Sequence, residues 1–186
     1  MMQQPDTSFD TKNPPDNLFI KINNEDISFI KSKCFGTTSA YYISDKTEYF
    51  LKLVCDYNDY NVLEREVIIL KILAKYNKHF PKLIAYNNQY IITEYIGPVL
   101  NKNNPDIIKQ ANIILNILAN EMISHSDIKE GELLIKDNTL YLVDFGWASL
   151  NGDLSCGNKI SDKRQNFATN DRTEMFRTIY KINIDR

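Results

Sequence analysis

The sequence predicts an α+β chain in two parts, an antiparallel sheet carrying one helix and then a smaller, mainly helical portion. Three observations predict it. Short apolar strands bounded by turn residues crowd the first half, a single helical run interrupts them, and the second half opens on a long apolar helical stripe that leads to a tight hairpin. The chain has 186 residues, 43% of them hydrophobic and 25% charged, which suits one domain with a sizeable core. Residues 1–17 are polar and proline-containing, and read as a flexible arm rather than a leader peptide. The folded domain is expected over 18–186, with its two lobes dividing between residues 96 and 97.

Each element has its own signal. Glu48–Val54 reads as a strand with one lysine, Lys52, among apolar residues. By itself Lys52 is a snorkelling lysine with a buried stem. A helix begins near Asn61 and carries Glu64-Arg65-Glu66 before an apolar run to Leu73. Lys82–Tyr86 and Gln89–Thr93 flank a turn at Asn87-Asn88. The second of these strands runs into Glu94-Tyr95-Ile96-Gly97-Pro98, where Gly-Pro breaks the chain between lobes. Asn104-Pro105 supplies a cap and a first-turn proline for the next helix. Its stripe of Ile107, Ile108, Ala111, Ile114, Leu115, Leu118 and Met122 is core. Leu133–Ile135 and Leu140–Val143 form a hairpin across Lys136-Asp137-Asn138-Thr139. A last helix is expected from Asn170-Asp171, burying Met175, Phe176, Ile179 and Tyr180.

The chemistry sits on either side of that hairpin. His125-Ser126-Asp127-Ile128-Lys129 precedes it and Asp144-Phe145-Gly146 follows it. Such a hairpin fixes two acidic side chains on one rim, where one holds a metal ion and the other orients a nucleophile. Phosphoryl transfer needs that arrangement, because its catalysis is mostly positioning and charge neutralisation.

With the strand lysine Lys52 and the helix glutamate Glu66 upstream in the right order, these motifs resemble the catalytic core of the protein-kinase superfamily. The resemblance runs from about Phe29 to the end. It implies a two-lobe protein-kinase-like fold, with an antiparallel N-lobe sheet plus the αC helix and a minimal, mainly helical C-lobe. It implies ATP and Mg2+ as cofactors. Lys52, held by Glu66, would grip the α- and β-phosphates under a phosphate loop containing Gly36. Backbone groups of Glu94 and Ile96 would contact adenine beside Thr93, with Leu134 as the pocket floor. Asp127 would orient the acceptor hydroxyl and Lys129 would steady the γ-phosphate. Asp144 would hold the metal. By register from Asp127, Glu132 falls where the family has a second, asparagine ligand. Asp171 resembles the aspartate that braces the catalytic loop, and is equally an ordinary first-turn acid. His125 is expected to pack rather than to act as a base.

Four departures from the family pattern keep other readings open. Cys34 and Ser39 replace the outer glycines of the phosphate loop. Glu132 offers a longer, charged ligand, or is an exposed glutamate at a strand start. Phe50 and Tyr41 stand where small and β-branched residues line the adenine site, and they either narrow that pocket or stack on the base. After Gly146 there is no A-P-E motif and little room for later helices, as in the small kinases of the tRNA threonylcarbamoyl-modification complex and of lipopolysaccharide-core sugars. The expected function is ATP-dependent transfer of the γ-phosphate to a hydroxyl, in the manner of serine/threonine-protein kinases. A pseudokinase acting as a binding module and a small-molecule or sugar kinase are the alternatives.

Composition limits the partners. A net charge of −2 gives no support for nucleic acid or a membrane surface. No apolar run approaches the roughly 20 residues of a spanning helix. Cys34, Cys55 and Cys156 are odd in number and lack C-x-x-C spacing, so a reducing, cytoplasmic setting without zinc is expected. The expected partners are ATP, a hydroxyl acceptor on a protein or small molecule, and a regulatory protein.

Overall fold

The structure, a computed structural model, describes residues 9–35, 39–55, 60–76, 78–97, 106–151 and 170–184. It is α+β. Six antiparallel strands form one sheet: β1 (Asn17–Ile22), β2 (Glu25–Phe35), β3 (Ser39–Ser44), β4 (Tyr49–Val54), β5 (Leu83–Tyr86) and β6 (Tyr90–Glu94). Their order is β1-β2-β3-β4-β6-β5, so β4 is an inner strand paired with both β3 and β6. Along β1 exposed and buried residues alternate strictly, which puts Leu18, Ile20 and Ile22 on the core face. Asn23 and Asn24 turn β1 into β2 with φ of 50° and 68°. A two-residue hairpin turn of the primed kind needs positive φ at both positions, and asparagine tolerates it better than most residues.

Three helices are present among the described residues: α1 (Tyr60–Leu73), α2 (Ile107–Asn120) and α3 (Asp171–Ile184). Helix α1 sends Leu63, Val67 and Leu70 inward at helical spacing. They join one apolar cluster with Ile114, Leu115 and Leu118 of α2, Met175 and Ile179 of α3, and Phe145. A second cluster fills the inner face of the sheet around Phe29, Tyr42, Leu51 and Leu53. Between α2 and α3 lie the short pair β7 (Ile123–Ser124) and β10 (Ser149–Leu150), and the hairpin β8 (Leu133–Lys136) to β9 (Thr139–Leu142). Gln110 of α2 fastens that hairpin by donating to Asn138 O and accepting from Leu140 N.

Several expectations need correction. Residues 9–16 are not a free arm. Gln89 exchanges two hydrogen bonds with the Phe9 backbone, Lys31 Nζ donates to Pro14 O, and Tyr42 Oη donates to Pro15 O. The Phe9 ring packs on Tyr90 at 5.9 Å. The hairpin loop after β8 is tighter than four residues. Asp137 and Asn138 alone turn it, at φ of 49° and 60°, with Lys136 paired to Thr139. The β5–β6 turn sits one residue later than expected, because Asn87 N donates to Tyr90 O. Helix α2 ends before Met122, whose φ of 54° marks the left-handed residue after a helix cap and leaves the side chain 64% exposed. On α3 it is Thr178 that joins Met175 and Ile179 in the core, while Tyr180 is exposed. Gly36, expected in a phosphate loop, and the expected Asn104-Pro105 cap lie outside the described residues, and α2 starts at Ile107 with Asp106 in the cap position.

Candidate active site

Strand β4 carries Lys52 into the space between sheet and α1. Its register places Lys52 opposite Tyr41 on β3 and Ile91 on β6. The ammonium donates to Glu66 Oε2 at 2.8 Å and to Asp144 Oδ1 at 2.7 Å. Burial alone disfavours the lysine's charge, but the carboxylates of Asp144 and Glu66 outweigh it and hold the group above the ordinary lysine range. Asp144 is held below the usual carboxylate range, because the Lys52 ammonium outweighs its burial. Glu66 is the more buried of the two acids and is pushed up by burial.

The backbone around Asp144 is locked. Asp144 adopts φ 62° and ψ 73°, and its Oδ1 accepts from Gly146 N at 3.4 Å. Arg65, buried beside Glu66 on α1, donates through Nη1 to Gly146 O at 3.2 Å. Any side chain at 146 would collide, since a Cβ there would lie 2.5 Å from Val62 Cγ1 and 3.3 Å from Lys52 Nζ.

The preceding loop is braced from α3. Asp171 Oδ2 accepts from His125 N at 2.6 Å and from Ser124 Oγ at 3.1 Å, while Oδ1 accepts from Ser126 N at 2.9 Å. Ser126 has φ 65°, a strained conformation that the three bonds to one carboxylate offset. His125 is fully buried, its Nε2 donates to Val143 O at 2.9 Å, and its ring meets Phe145 edge-on at 4.9 Å. Burial lowers its pKa, against the Val143 carbonyl and the nearby aspartates, and so disfavours the charged ring. It packs, as expected, and does not present a base.

Downstream, Lys129 Nζ donates to Asp127 Oδ2 at 2.6 Å and pairs with Glu132 Oε1 at 3.1 Å. Those two acids hold its pKa up against partial burial. Glu132 is not an exposed strand-start glutamate: it is buried in the turn Glu130–Glu132, with Oε2 lacking a hydrogen-bond partner among the described residues. Desolvation raises its pKa to about 7, and the charges of Asp144 and Asp127 push the same way against Lys129. An orphaned buried carboxylate oxygen in the field of Asp144 fits a hard divalent cation. Magnesium takes one or two carboxylates and completes its shell with water or phosphate oxygens. No group of three or more His, Cys, Asp or Glu side chains placed to hold a metal ion occurs among the described residues.

The remaining predicted residues lie at the end of β6 and on β8. Thr93 and Glu94 end β6, and Ile96 is buried two residues later. Glu94 N donates to Lys82 O, Tyr95 N donates to Glu48 O, and Lys136 Nζ reaches Tyr95 O, tying β8 to this segment. Gly97 takes φ 110°, a conformation open to glycine and few other residues. Leu134 is half-buried on β8. On the Lys52 face of the sheet, Tyr41 and Phe50 contact each other with ring centroids 5.5 Å apart. Burial raises the Tyr41 pKa, and the charge of Asp144 adds to the rise.

Arg65 and Ser124 join the site without having been singled out from sequence. Arg65 had a readable signal, since it shares a helical face with buried Ile69 four residues on. Ser124 had none, as its role depends on α3 arriving from 47 residues away. No protein-family model matches the chain, and no curated protein matches it. No helix among the described residues is long and apolar enough to cross a membrane.

Proposed function

We propose that this chain is an ATP- and magnesium-dependent phosphotransferase with a two-lobe, protein-kinase-like fold, acting on a hydroxyl acceptor. The observation that supports this most directly is Lys52 held between Glu66 and Asp144 at 2.8 and 2.7 Å. A buried ammonium fixed by two carboxylates from different elements is built to meet phosphate oxygens. The acids come from α1 and from the turn after β9, so the sheet and the second half of the chain are both needed to assemble it.

In this reading Lys52 binds the α- and β-phosphates. Magnesium, held by Asp144 with Glu132 as the second ligand, supplies charge neutralisation at the phosphate oxygens. Asp127, kept in place by the Asp171-braced loop, accepts the hydrogen bond of the acceptor hydroxyl and then its proton. The hydroxyl oxygen bonds to the γ-phosphorus, the bond to the β–γ bridging oxygen breaks, and ADP leaves. Lys129 faces the charge that grows on the transferred group.

The Tyr41–Phe50 pair favours a second reading. Two aromatic rings on the face that would cover the base can fill that space, leaving a pseudokinase that serves as a binding module. Transfer of labelled γ-phosphate from magnesium–ATP, to the protein itself and to protein and sugar acceptors, separates the readings. The Asp127→Asn variant is expected to lose about a hundredfold or more of that transfer. Absence of transfer together with absence of ATP binding would leave the binding-module reading in possession.

A further inference from the structure

A separate hollow of about 190 Å³ opens between the segment Ile128–Glu130 and α3. That is well below the roughly 300–1,000 Å³ of a pocket enclosing a whole ligand, so it suits one chemical group of a larger molecule. Lys129 and Glu130 form one wall, and Glu174, Arg177, Thr178 and Lys181 form the other. The α3 residues recur at i, i+3, i+4 and i+7, which makes them a single helical face. Core packing explains only Thr178 on that face: Met175 and Ile179 already anchor the helix, while Arg177 and Lys181 are exposed and Glu174 is half-buried. A charged helical stripe is most often just solvated, yet this one is turned toward the loop that carries Asp127.

The charges in the hollow are unevenly committed. Lys129 is tied to Asp127 and Glu132, and Arg177 pairs with Glu174 only at 3.6 Å. Lys181 makes no ion pair among the described residues. Among the described lining residues three cations, Lys129, Arg177 and Lys181, stand beside two carboxylates, Glu130 and Glu174. With Lys129 committed to Asp127 and Glu132, it is Arg177 and Lys181 that remain for an incoming group.

Resting on the phosphotransferase reading, we infer that this hollow receives an anionic group, a carboxylate or a phosphate monoester, carried by the acceptor beside its reacting hydroxyl. Arg177 and Lys181 are then specificity residues. They select acceptors by charge while Asp127, two residues from Lys129, handles the hydroxyl.

The test uses the full chain, labelled with ¹⁵N, with and without magnesium and a non-hydrolysable ATP analogue. Glucose 6-phosphate and the peptide Asp-Asp-Ser-Asp-Asp are titrated beside glucose and Lys-Lys-Ser-Lys-Lys. At least one anionic probe is expected to shift the amides of Lys129, Arg177, Thr178 and Lys181, and which one responds identifies the source of the anion. The double variant Arg177→Gln, Lys181→Gln is expected to weaken that binding at least tenfold, while Lys21→Gln on the distant β1 leaves it unchanged. Equal shifts with the neutral or cationic probes, no shift with either anion, or a double variant that binds as well as the parent would each overturn the inference. Anion binding without any nucleotide binding would sink the phosphotransferase reading instead and leave an anion site to be reassigned.

Discussion

At Gly146 a single methyl group decides whether α1 and the Asp144 turn can meet. A Cβ there would press on Val62 Cγ1 at 2.5 Å and crowd Lys52 Nζ and Asp144 Oδ1 at 3.3 Å. Gly146→Ala should therefore cost about 1–3 kcal/mol, the usual range for overpacking. The measurement is a denaturant midpoint at unchanged slope, and an unchanged midpoint would mean that α1 gives way freely. Glu132 supplies a prediction with a sign. Its folded pKa of about 7 lies above an ordinary glutamate's roughly 4.3. The folded state thus holds a proton that the unfolded chain releases earlier, so the stability due to this group is full below about 4.3 and lost as pH rises through 7. Glu132→Gln removes that loss. Its melting temperature should gain on the parent's from pH 5 to about pH 7 and level off above that, and a pH-independent difference would contradict the assignment. Lys52, Glu66 and Asp144 were legible through their order and kinase-like spacing, since Lys52 or Glu66 alone reads as an ordinary snorkelling lysine or solvated helix glutamate. The burial of Glu132 was not, since it depends on a three-residue turn that no periodicity announces.

Among the elements, α3 does for the Ser124–Asp127 loop what the loop cannot do for itself. One carboxylate satisfies two backbone amides and a hydroxyl across at least 45 residues of sequence. Asp171→Ala removes the shared acceptor of all three donors, Ser124 Oγ keeping its contact with Ser126 Oγ at 3.2 Å, and each donor left unsatisfied costs about 1–3 kcal/mol where water does not reach it. The expected result is faster amide hydrogen exchange at His125 and Ser126 by tenfold or more, with exchange in β2 and β3 much less affected. Uniform acceleration would show instead that α3 supports the whole fold and not the loop. The sequence made the helix and its opening aspartate visible, and left open whether that aspartate caps its own helix or braces the loop. Only the crossing of two distant segments settles such a question. Turn chemistry was more transparent: Asp137-Asn138 and Asn87-Asn88 stand out as breakers, although strand ends moved by a residue. Asn23-Asn24 gave the same signal, and the alternation of Leu18, Ile20 and Ile22 before it was readable too. That strand was masked by its neighbours, the polar, proline-bearing residues from 1 to 17.

Those neighbours matter to the molecule as a whole, because residues 9–16 run back over the sheet and join strands distant in sequence. Phe9 binds Gln89 at the β5–β6 turn, Pro14 and Pro15 receive Lys31 and Tyr42, and Asp16 O accepts from Lys31 N. Prolines, lacking an N–H, lose little by lying in an extended crossing and still offer carbonyls to the sheet. Composition marks such a segment as unable to build a core, which is correct, but it does not show that a core built elsewhere can hold it. A flexible arm could be cut away without effect. Deleting residues 1–16 from this chain should instead expose Tyr90 and Tyr42, both now fully buried, and leave the Lys31 and Gln89 side chains without these partners. Allowing about 1 kcal/mol for each of two or three lost hydrogen bonds, and about 2–4 °C per kcal/mol for a chain of this size, the melting temperature should fall by roughly 5–10 °C. Phe9→Ala should account for only part of that fall, since the backbone bonds at Phe9, Pro14 and Pro15 survive it. If the truncated chain melts with the parent, the segment is an ornament on the sheet and the boundary at residue 17 was right after all.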